Sequence, residues 1–179
     1  MIERVDAGGF GACVPGLGAV LADAVAGGAS VGFLAGLDRA AAEAWWRARA
    51  GAVRAGTLAV WVARDGGRIV GTVGLAYAEK PNARHRAEVV KLAVLRAQRG
   101  QGLGRRLLRT AEDAAAAAGV TLLMLDTETG SAAEGLYRAA GWQRYGIVPG
   151  FAADPSGVPR DGSFYFKPLP GAGATVDTE

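Results

Sequence analysis

The chain has 179 residues, of which 50% are hydrophobic and 21% are charged, and its formal net charge is +3. This length and composition are ordinary for one globular domain with a sizeable core, and the apolar runs are too short to span a membrane. The lone cysteine, Cys13, excludes an internal disulfide and a cysteine-rich metal site, and no metal is expected. The first six residues lack the hydrophobic core of a signal peptide, so we expect a cytoplasmic protein.

The N-terminal part of the chain predicts one short strand and two helices. Residues 2–5 have strand character, and an apolar run favours a helix from near Pro15 to Gly27. Asp38 is a typical N-cap for a second helix, which we expect to reach about Ala50.

An apolar segment, residues 29–36, lies between these two helices. It is interrupted by glycines and shows no clear periodicity. Such a segment suits a loop that lines a ligand cavity, and it suits a buried connector equally well. On the first interpretation, the candidate substrate-binding residues are Val31, Gly32 and Phe33.

The central part of the chain predicts a β-hairpin followed by a long strand. Two apolar runs, 58–63 and 69–75, flank a turn at residues 65–67 with the sequence Asp-Gly-Gly. After a further turn around Pro81, residues 86–95 read as a strand that continues the sheet.

This strand leads into a glycine-rich turn, residues 99–105. Three glycines at alternate positions leave the backbone with little side-chain cover, so its N–H groups can approach an anion closely. A helix that starts directly after them, at Leu103, also favours an anion through its free N–H groups and its dipole. The turn could serve only to let a strand enter a helix, but strand, bare turn and helix start together predict a phosphate site.

The C-terminal part predicts two helices and three strands. The helix after the glycine turn ends at Gly119, and a fully apolar run over residues 120–125 then reads as a strand. Ser131 and Glu134 match a capping box, so a second helix should begin at Ala132. The remaining predicted segments are strands over 142–147 and 162–167, which complete a single domain over 1–168, and a disordered tail over 169–179.

The glycine-rich turn matches neither of two common phosphate motifs. The string Gly-x-x-x-x-Gly-Lys-Ser/Thr does not occur, and Gly102 and Gly104 are not followed by the third glycine of the dinucleotide fingerprint. Nucleic acid is not the expected partner, because no aromatic residue lies among the arginines between Arg96 and Arg109. The turn does match Arg-x-x-Gly-x-Gly, starting at Arg99. It thereby resembles the pyrophosphate loop of the Gcn5-related N-acetyltransferase (GNAT) superfamily.

The resemblance covers nearly the whole chain, because the predicted order β-α-α-β-β-β-α-β-α-β-β is the GNAT order. It implies a mixed α/β (α+β) fold, in which a mostly antiparallel, twisted sheet of about seven strands is splayed at an acetyl-CoA site and flanked by about four helices. It also implies acetyl-CoA as the co-substrate, with no metal. The residues implied to contact acetyl-CoA are Leu92, Ala93 and Val94 along the acetyl-pantetheine arm, Arg99, Gly100, Gln101, Gly102, Leu103, Gly104 and Arg105 around the pyrophosphate, and Ser131.

Acetyl transfer to an amine needs a base for the amine and a proton for the departing thiolate. Glu88 lies in an apolar strand, where alternation puts it on one face with Val90 and Leu92. A carboxylate there is unfavourable unless it is paired or functional. Asp126 is expected where the next strand ends, at the edge where open α/β sheets bind ligands. Tyr137 lies on the helix that follows.

Each of these candidates also has a structural interpretation. Glu88 could pair with a nearby arginine or lysine, Asp126 could brace the following loop, and Tyr137 could be a half-buried packing residue. The only histidine, His85, is flanked by two arginines, which disfavours it as a base. The GNAT resemblance implies that Glu88 and Asp126 deprotonate the amine and that Tyr137 is the general acid to the thiolate.

These residues predict direct acetyl transfer to the amino group of a small molecule. The strings at 85–89, 125–128 and 165–167 resemble a GNAT member that acetylates a monocyclic β-lactam amino acid, which points to antibiotic or toxin resistance. A protein or peptide acetyltransferase and a non-catalytic acyl-CoA-binding module are the alternatives. A homodimer that buries Trp45, Trp46 or the last strands is also open.

Overall fold

The computed structural model describes residues 1–170, and in that range the chain forms seven strands and five α-helices. The strands are β1 Ile2–Arg4, β2 Leu58–Asp65, β3 Arg68–Tyr77, β4 Arg86–Val94, β5 Leu122–Glu128, β6 Gln143–Ala153 and β7 Pro159–Pro168. The helices are α1 Phe10–Ala26, α2 Arg39–Arg47, α3 Ala50–Ala55, α4 Leu103–Ala117 and α5 Ala132–Ala139.

The strands form one sheet in the order β1-β2-β3-β4-β5-β7-β6. Every neighbouring pair is antiparallel except β4 and β5, which are parallel. This confirms the predicted mixed, mostly antiparallel sheet. Helix α1 packs against α2 and against β3 and β4, while α4 packs on β2, β3 and β4. Their apolar faces enclose one core, whose largest fully buried side chains include Phe10, Trp46, Leu107 and Tyr165.

The sheet separates between β4 and β5. Their parallel pairing covers only the three residue pairs from Arg86 opposite Leu122 to Glu88 opposite Met124. Beyond Glu88, β4 continues to Val94 in contact with β3 alone. The edge of β4 that faces β5 therefore carries backbone groups without a strand partner, as the predicted splay requires.

A bulge at Lys91 interrupts β4. The register with β3 shifts by one residue between the pairs Thr72–Ala93 and Gly74–Val90, and Lys91 adopts a φ of +51°. The predicted alternation of Glu88, Val90 and Leu92 on one face therefore does not extend past the bulge, because an extra residue on one strand breaks the two-residue period.

Helix α1 begins earlier than the sequence predicts, at Phe10 and not near Pro15. Proline inside a helix removes one backbone hydrogen bond and is normally unfavourable. Here Phe10, Cys13 and Val14 are all buried in the core, so the packing of this first turn outweighs the missing bond.

The Asp38 cap of α2 is confirmed, because its carboxylate accepts a hydrogen bond of 2.7 Å from the backbone N–H of Ala41. The predicted end at about Ala50 is wrong, and two helices replace the single one. The N–H of Arg49 donates to the carbonyl of Trp46 at 2.9 Å. This i to i−3 bond tightens the chain into a turn before α3 begins.

Strand β5 begins later than predicted, because the N–H groups of Thr121 and Leu122 both donate to the carbonyl of His85, at 2.8 and 3.2 Å. It then runs on to Glu128, paired with β7 along its whole length. The prediction that Asp126 lies where the strand ends is therefore wrong. Asp126 lies inside β5, just past the last pair with β4.

The last two strands are longer than predicted and form one hairpin that reaches from Gln143 to Pro168. Its outer half reads from the sequence as a Pro/Gly-rich loop. The ring of Phe151 lies directly over Gly162, where an added Cβ would be 2.6 Å from the ring, and packs edge-on against Phe164 at 4.8 Å. This cross-strand contact, which only the bare backbone of Gly162 allows, extends the hairpin.

Helix α5 begins at Ala132 as predicted, but the bonds of the predicted capping box are wrong. The side chain of Ser131 does not cap the helix. The buried Glu134 carboxylate instead accepts hydrogen bonds from the Tyr165 hydroxyl at 2.7 Å and from the Gly130 N–H at 2.8 Å.

At the C-terminus, Leu169 donates its N–H to the backbone carbonyl of Thr121 at 2.9 Å. The predicted tail from residue 171 onwards lies outside the described residues.

We expect Glu134 to stabilise the fold in a pH-dependent way. Burial opposes its charge, but the hydrogen bonds from Tyr165 and Gly130 outweigh burial and lower the pKa of Glu134 to about 2, from 4.5. A lowered folded-state pKa adds stability above the ordinary value, and that stability is lost as the pH falls through the folded value. Replacing Glu134→Gln should lower the free energy of unfolding by roughly 1.5–3 kcal/mol at pH 7.

Urea unfolding at pH 7 and at pH 3 checks this prediction. The difference between the wild type and Glu134→Gln should shrink at the lower pH. The control is Asp113→Asn, which changes an exposed carboxylate on α4 and should shift the unfolding free energy by less than about 0.5 kcal/mol. A Glu134→Gln difference that does not depend on pH would contradict the assignment.

Candidate active site

A cavity of about 530 Å³ opens on the sheet where β4 and β5 begin to separate. Its wall contains two of the predicted catalytic residues, Glu88 from β4 and Asp126 from β5. Tyr145 and Phe164 of the β6–β7 hairpin supply an apolar side. Because Glu88 is opposite Met124, and Asp126 is two residues further along β5, the two carboxylates project from one face of the sheet.

Neither carboxylate is neutralised by a cation in contact. None of the ion pairs within residues 1–170 includes Glu88 or Asp126. Partial burial in the cavity wall and the charge of Asp126 raise the pKa of Glu88, against the opposing effect of Lys91 and Arg86. Partial burial also raises the pKa of Asp126, opposed by Lys91. Both residues keep more than a third of their surface exposed to solvent. Two carboxyls with raised pKa values accept a proton more readily than ordinary carboxylates.

Tyr137, the third predicted catalytic residue, lies on α5 outside the wall of this cavity. Its ring is buried between Trp142 and Tyr165, at centroid distances of 6.0 and 6.1 Å. Burial, together with the charge of Asp126, raises the pKa of Tyr137 to about 12. Its hydroxyl donates to no acceptor within residues 1–170. The ring is a packing element, and the hydroxyl is held protonated and free to donate.

Lys91 is a site residue that the sequence interpretation overlooked. Its ammonium donates to the carbonyl of Val31 at 3.0 Å and lies 5.1 Å from the ring centroid of Trp45. The guanidinium of Arg49 stacks on that same ring at 3.2 Å. Burial and the charge of Arg49 lower the pKa of Lys91. The available signal was a lysine within the apolar run 89–94, because a charged residue in such a run needs a partner.

The predicted substrate-binding residues Val31, Gly32 and Phe33 form part of a loop that is only partly buried, which excludes the buried-connector alternative. None of the three lines the cavity itself. Lys91 holds one end of the loop, and the N–H of Ala35 donates to the carbonyl of Pro155 at 2.6 Å. The loop therefore bridges from β4 to the turn between β6 and β7. Strand β4 lines the cavity, whereas that turn does not.

The glycine-rich turn has the geometry of an anion site. Gly100 and Gly102 adopt φ values of +79° and +72°, which disfavour any other residue. No N–H group of residues 101–105 donates to an acceptor in the described part of the chain. Gly104 is different, because it lies in α4 with ordinary helical φ, and a Cβ there would make only a 3.7 Å contact with Leu136. The turn therefore fits a pyrophosphate through backbone groups alone.

The other predicted acetyl-CoA contacts lie on either side of the separation. Leu92, Ala93 and Val94 are half-buried on the unpaired edge of β4. Arg99 folds back, with its Nε donating to the carbonyl of Val94 at 3.2 Å. Ser131 shares a hydrogen bond of 3.3 Å with the hydroxyl of Thr127 and stands before α5.

Within residues 1–170, no three metal-binding side chains are grouped closely enough to hold an ion. No helix in the same range has both the length and the apolar character to cross a membrane.

The profile of the acetyltransferase (GNAT) family matches residues 21–142. The chain belongs to the GNAT acetyltransferase family. The matched range runs from α1 to the residue before β6, so it contains the separation of β4 and β5, the glycine-rich turn and all three candidate catalytic residues.

Solved structures share this GNAT fold over nearly their full length. The ribosomal-protein-alanine N-acetyltransferase from Brucella melitensis is 26% identical, with a TM-score of 0.77 over 94% of this chain and 99% of its own. The yncA protein of Salmonella typhimurium, solved with its cofactor acetyl-CoA, is 22% identical, with a TM-score of 0.76 over 100% and 98%. The ribosomal-protein-S18-alanine N-acetyltransferase from Escherichia coli is 18% identical, with a TM-score of 0.71 over 99% of both chains.

The charge of Asp126 should be measurable in the titration of Glu88. Asp126→Asn removes one of the two causes that raise the pKa of Glu88, so that pKa should move down towards the ordinary carboxyl range while staying above it because of burial. Carbon-detected NMR titration of the glutamate carboxyl groups measures the shift. Asp113→Asn, an exposed change on α4, should leave it in place. A Glu88 pKa that is ordinary in the wild type, or unaffected by Asp126→Asn, would contradict this account.

Proposed function

We propose that this GNAT acetyltransferase transfers the acetyl group of acetyl-CoA to the amino group of a small molecule, by direct attack in a ternary complex. One observation carries the proposal. Glu88 and Asp126, which form no ion pair within residues 1–170, line a cavity at the separation of β4 and β5. Strand β4, which carries Glu88, leads into a turn whose N–H groups have no acceptor among the described residues.

The donor would be held mainly by backbone groups. The unpaired N–H groups of residues 101–105 and the start of α4 would bind its pyrophosphate, with Arg99, Gly100 and Arg105 around it. The unpaired edge of β4 at residues 92–94 would bind its pantetheine arm, and Ser131 would contact it across the gap. Bound acetyl-CoA supplies a thioester, whose carbonyl carbon the amine attacks.

The side chains of the chain then divide the proton transfers. Glu88 and Asp126 accept a proton from the ammonium form of the substrate, because only the free amine has the lone pair that attacks. Their raised pKa values make them better proton acceptors than ordinary carboxylates. The Tyr137 hydroxyl, which its pKa of about 12 keeps protonated, donates to the departing sulfur. Cys13 is buried, and none of the proposed steps uses it as a nucleophile. The proposal therefore needs no covalent enzyme intermediate.

The substrate would be a small amine. The loop that Lys91 and Pro155 hold lies outside the cavity wall, and its position beside β4 favours a bounded pocket over an open peptide groove. The strings at 85–89, 125–128 and 165–167 are similar to those of tabtoxin resistance protein, a GNAT that acetylates a monocyclic β-lactam amino acid. We therefore include such amino acids, and a role in toxin or antibiotic resistance in the cytoplasm, in the proposal.

Acetylation of a protein N-terminus is the second candidate. It is favoured by the 26% identity with the ribosomal-protein-alanine N-acetyltransferase of Brucella melitensis. A non-catalytic acyl-CoA-binding role is the third candidate function. It is less favoured because it gives Glu88 and Asp126 in the cavity wall no chemical role. Assays with small amines, amino acids and an alanine-starting peptide separate these possibilities.

The double variant Glu88→Gln, Asp126→Asn should lower kcat by about 10²- to 10⁴-fold, the usual contribution of a general base. Tyr137→Phe should also lower kcat, because it removes the proton donor and keeps the ring. Release of the free thiol of coenzyme A measures turnover. Calorimetry should show that the double variant and Tyr137→Phe bind acetyl-CoA as tightly as the wild type does. The matched control is Glu128→Gln, which changes a carboxylate on β5 outside the cavity wall.

Each outcome of this experiment discriminates. If the Glu88→Gln, Asp126→Asn variant retains full activity with the amine that the wild type acetylates, Glu88 and Asp126 are not the bases. Donor binding without turnover of any amine or peptide would favour the non-catalytic role. Turnover of the alanine-starting peptide alone would favour the protein N-acetyltransferase.

We also propose a homodimer formed through β6. Trp46 is buried in the chain's own core, which removes it from the residues expected at an interface. Strand β6 is the edge of the sheet, is exposed along its length, and presents Ile147, Val148 and Phe151 to solvent. No charged residue lies between 145 and 153, although charges are a common protection of exposed edges. Antiparallel pairing of β6 with a second copy would cover the edge and close the assembly.

Sedimentation velocity tests the dimer. The wild type should sediment as a dimer and Val148→Asp as a monomer, because a charge would be buried at the two-fold axis. Val158→Asp changes an equally exposed valine outside β6 and should stay dimeric. A wild-type monomer at tens of micromolar would refute the interface.

A further inference from the structure

Arg86 stands at the opposite end of the cavity from the separation of the strands. It is the first residue of β4 and lies two residues before Glu88, so both side chains project from one face of the strand. It lines the same cavity as Glu88 and Asp126, is half-buried, and its Nη1 lies 3.7 Å from the sulfur of Met124. The guanidinium therefore leans along the cavity wall towards the carboxylates.

Arg86 has no carboxylate partner. None of the ion pairs formed within residues 1–170 includes it, and its only side-chain contact among the polar bonds is the weak one to Met124. Its charge lowers the pKa of Glu88 from a distance, without an ion pair. A half-buried guanidinium with open donors in a cavity wall is a binding group for a planar anion.

Arg86 lies where two cavities meet. A second cavity of about 290 Å³ adjoins the first and shares Lys80 and Arg86 with it. The combined wall thus contains Glu88 and Asp126 as one group and the cations Lys80 and Arg86 as another, with Glu79 also in the wall of the first cavity. A ligand that matches it carries an amine and, a short distance away, an anion.

The phosphates of the donor do not account for these cations. Arg86 and the glycine-rich turn are at opposite ends of β4. Seven strand residues lie between Arg86 and Val94, which makes eight steps along the strand and a length of about 25 Å. The free N–H groups that fit a pyrophosphate all lie at the far end. The open donors of Arg86 are therefore available to the acceptor.

We propose that Arg86 binds the carboxylate of the acceptor, so that the substrate is a zwitterionic amine of amino-acid type. This inference rests on the proposed function and adds the substrate class. The spacing of residues two apart on a strand, about 7 Å, leaves room for an amine at Glu88 and a carboxylate at Arg86 on one small molecule. A single guanidinium in a wall that also holds the Glu88 and Asp126 carboxylates matches a monoanion better than a doubly charged phosphate.

The experiment compares amino acids with their carboxamides, which keep the amine and lose the negative charge. Carboxamides carry the less basic amine, so intrinsic reactivity favours them, and a preference for the free acids has to come from binding. The wild type should prefer the acids. Arg86→Gln should lower the preference for acids over carboxamides, measured as the ratio of their kcat/KM values, by about 10- to 100-fold through a higher KM for the acids. A change in the pKa of Glu88 acts on the base that both substrates share, so it does not produce this loss of preference.

Two further variants control for nonspecific effects of removing an arginine and for the geometry of the guanidinium. Arg84→Gln changes an exposed arginine on the same segment that lines neither cavity, and its kinetics should match the wild type. Arg86→Lys keeps the charge without the planar fork, so it should show a smaller rise in KM for acids alone. Thermal unfolding of each variant, compared with the wild type, identifies any loss of fold, and Arg86→Lys carries the test if Arg86→Gln does not fold.

The outcomes separate this inference from the function on which it rests. Equal use of acids and carboxamides, or an equal loss on both in Arg86→Gln, overturns the carboxylate site while acetyl transfer stands. A preference for phosphorylated amines over amino acids also overturns it. If the wild type binds acetyl-CoA but acetylates no amine, the proposed function fails and the inference fails with it.

Discussion

The short pairing between β4 and β5 is the constraint on which the site depends. Only three residue pairs join the two strands, ending at Glu88 and Met124. Strand β5 stays paired with β7 along its whole length, while β4 follows β3 and bends at the bulge of Lys91. Backbone groups stay unpaired in a sheet only where water or a ligand satisfies them. The separation therefore leaves one edge of β4 free to bind a ligand. Glu88 lies where this free edge begins, and the glycine-rich turn follows where the strand ends.

The charges around the separation follow from the same geometry. Two carboxyls in one cavity wall repel each other and lose water, and a cation in contact would relieve both effects. Such a pair would also occupy the lone pairs that accept a proton. Lys91 is instead held by Val31 and the ring of Trp45. Burial raises the pKa of both carboxyls, and the charge of Lys91 only opposes that rise without an ion pair, so the lone pairs of Glu88 and Asp126 stay available.

The features that sequence could predict are those set by local chemistry. The start of α4 at Leu103, directly after the glycine turn, and the cap at Asp38 depend on a few neighbouring residues, and both are found in the structure. The failures lie where distant residues decide the outcome. The helix through Pro15 depends on core packing, and the partner of Glu134 is a tyrosine 31 residues away. The bulge at Lys91 depends on register with β3, which no pattern within β4 records.

The misassigned Glu134 also explains how Tyr137 is held. A buried carboxylate with a pKa of about 2 binds the Tyr165 hydroxyl and the N–H before α5, so it fixes the start of this helix to β7. Tyr165 in turn packs against the ring of Tyr137. Glu134 accepts the hydrogen bond of the Tyr165 hydroxyl, whereas the Tyr137 hydroxyl has no acceptor within residues 1–170. Glu134, whose carboxylate is fully hydrogen-bonded, thus helps to orient the proton donor Tyr137 through Tyr165. Glu88 and Asp126, which form no ion pair among the described residues, stay available for the substrate. Stability and chemistry are assigned to different carboxylates, which is why a loss of one can be measured without a loss of the other.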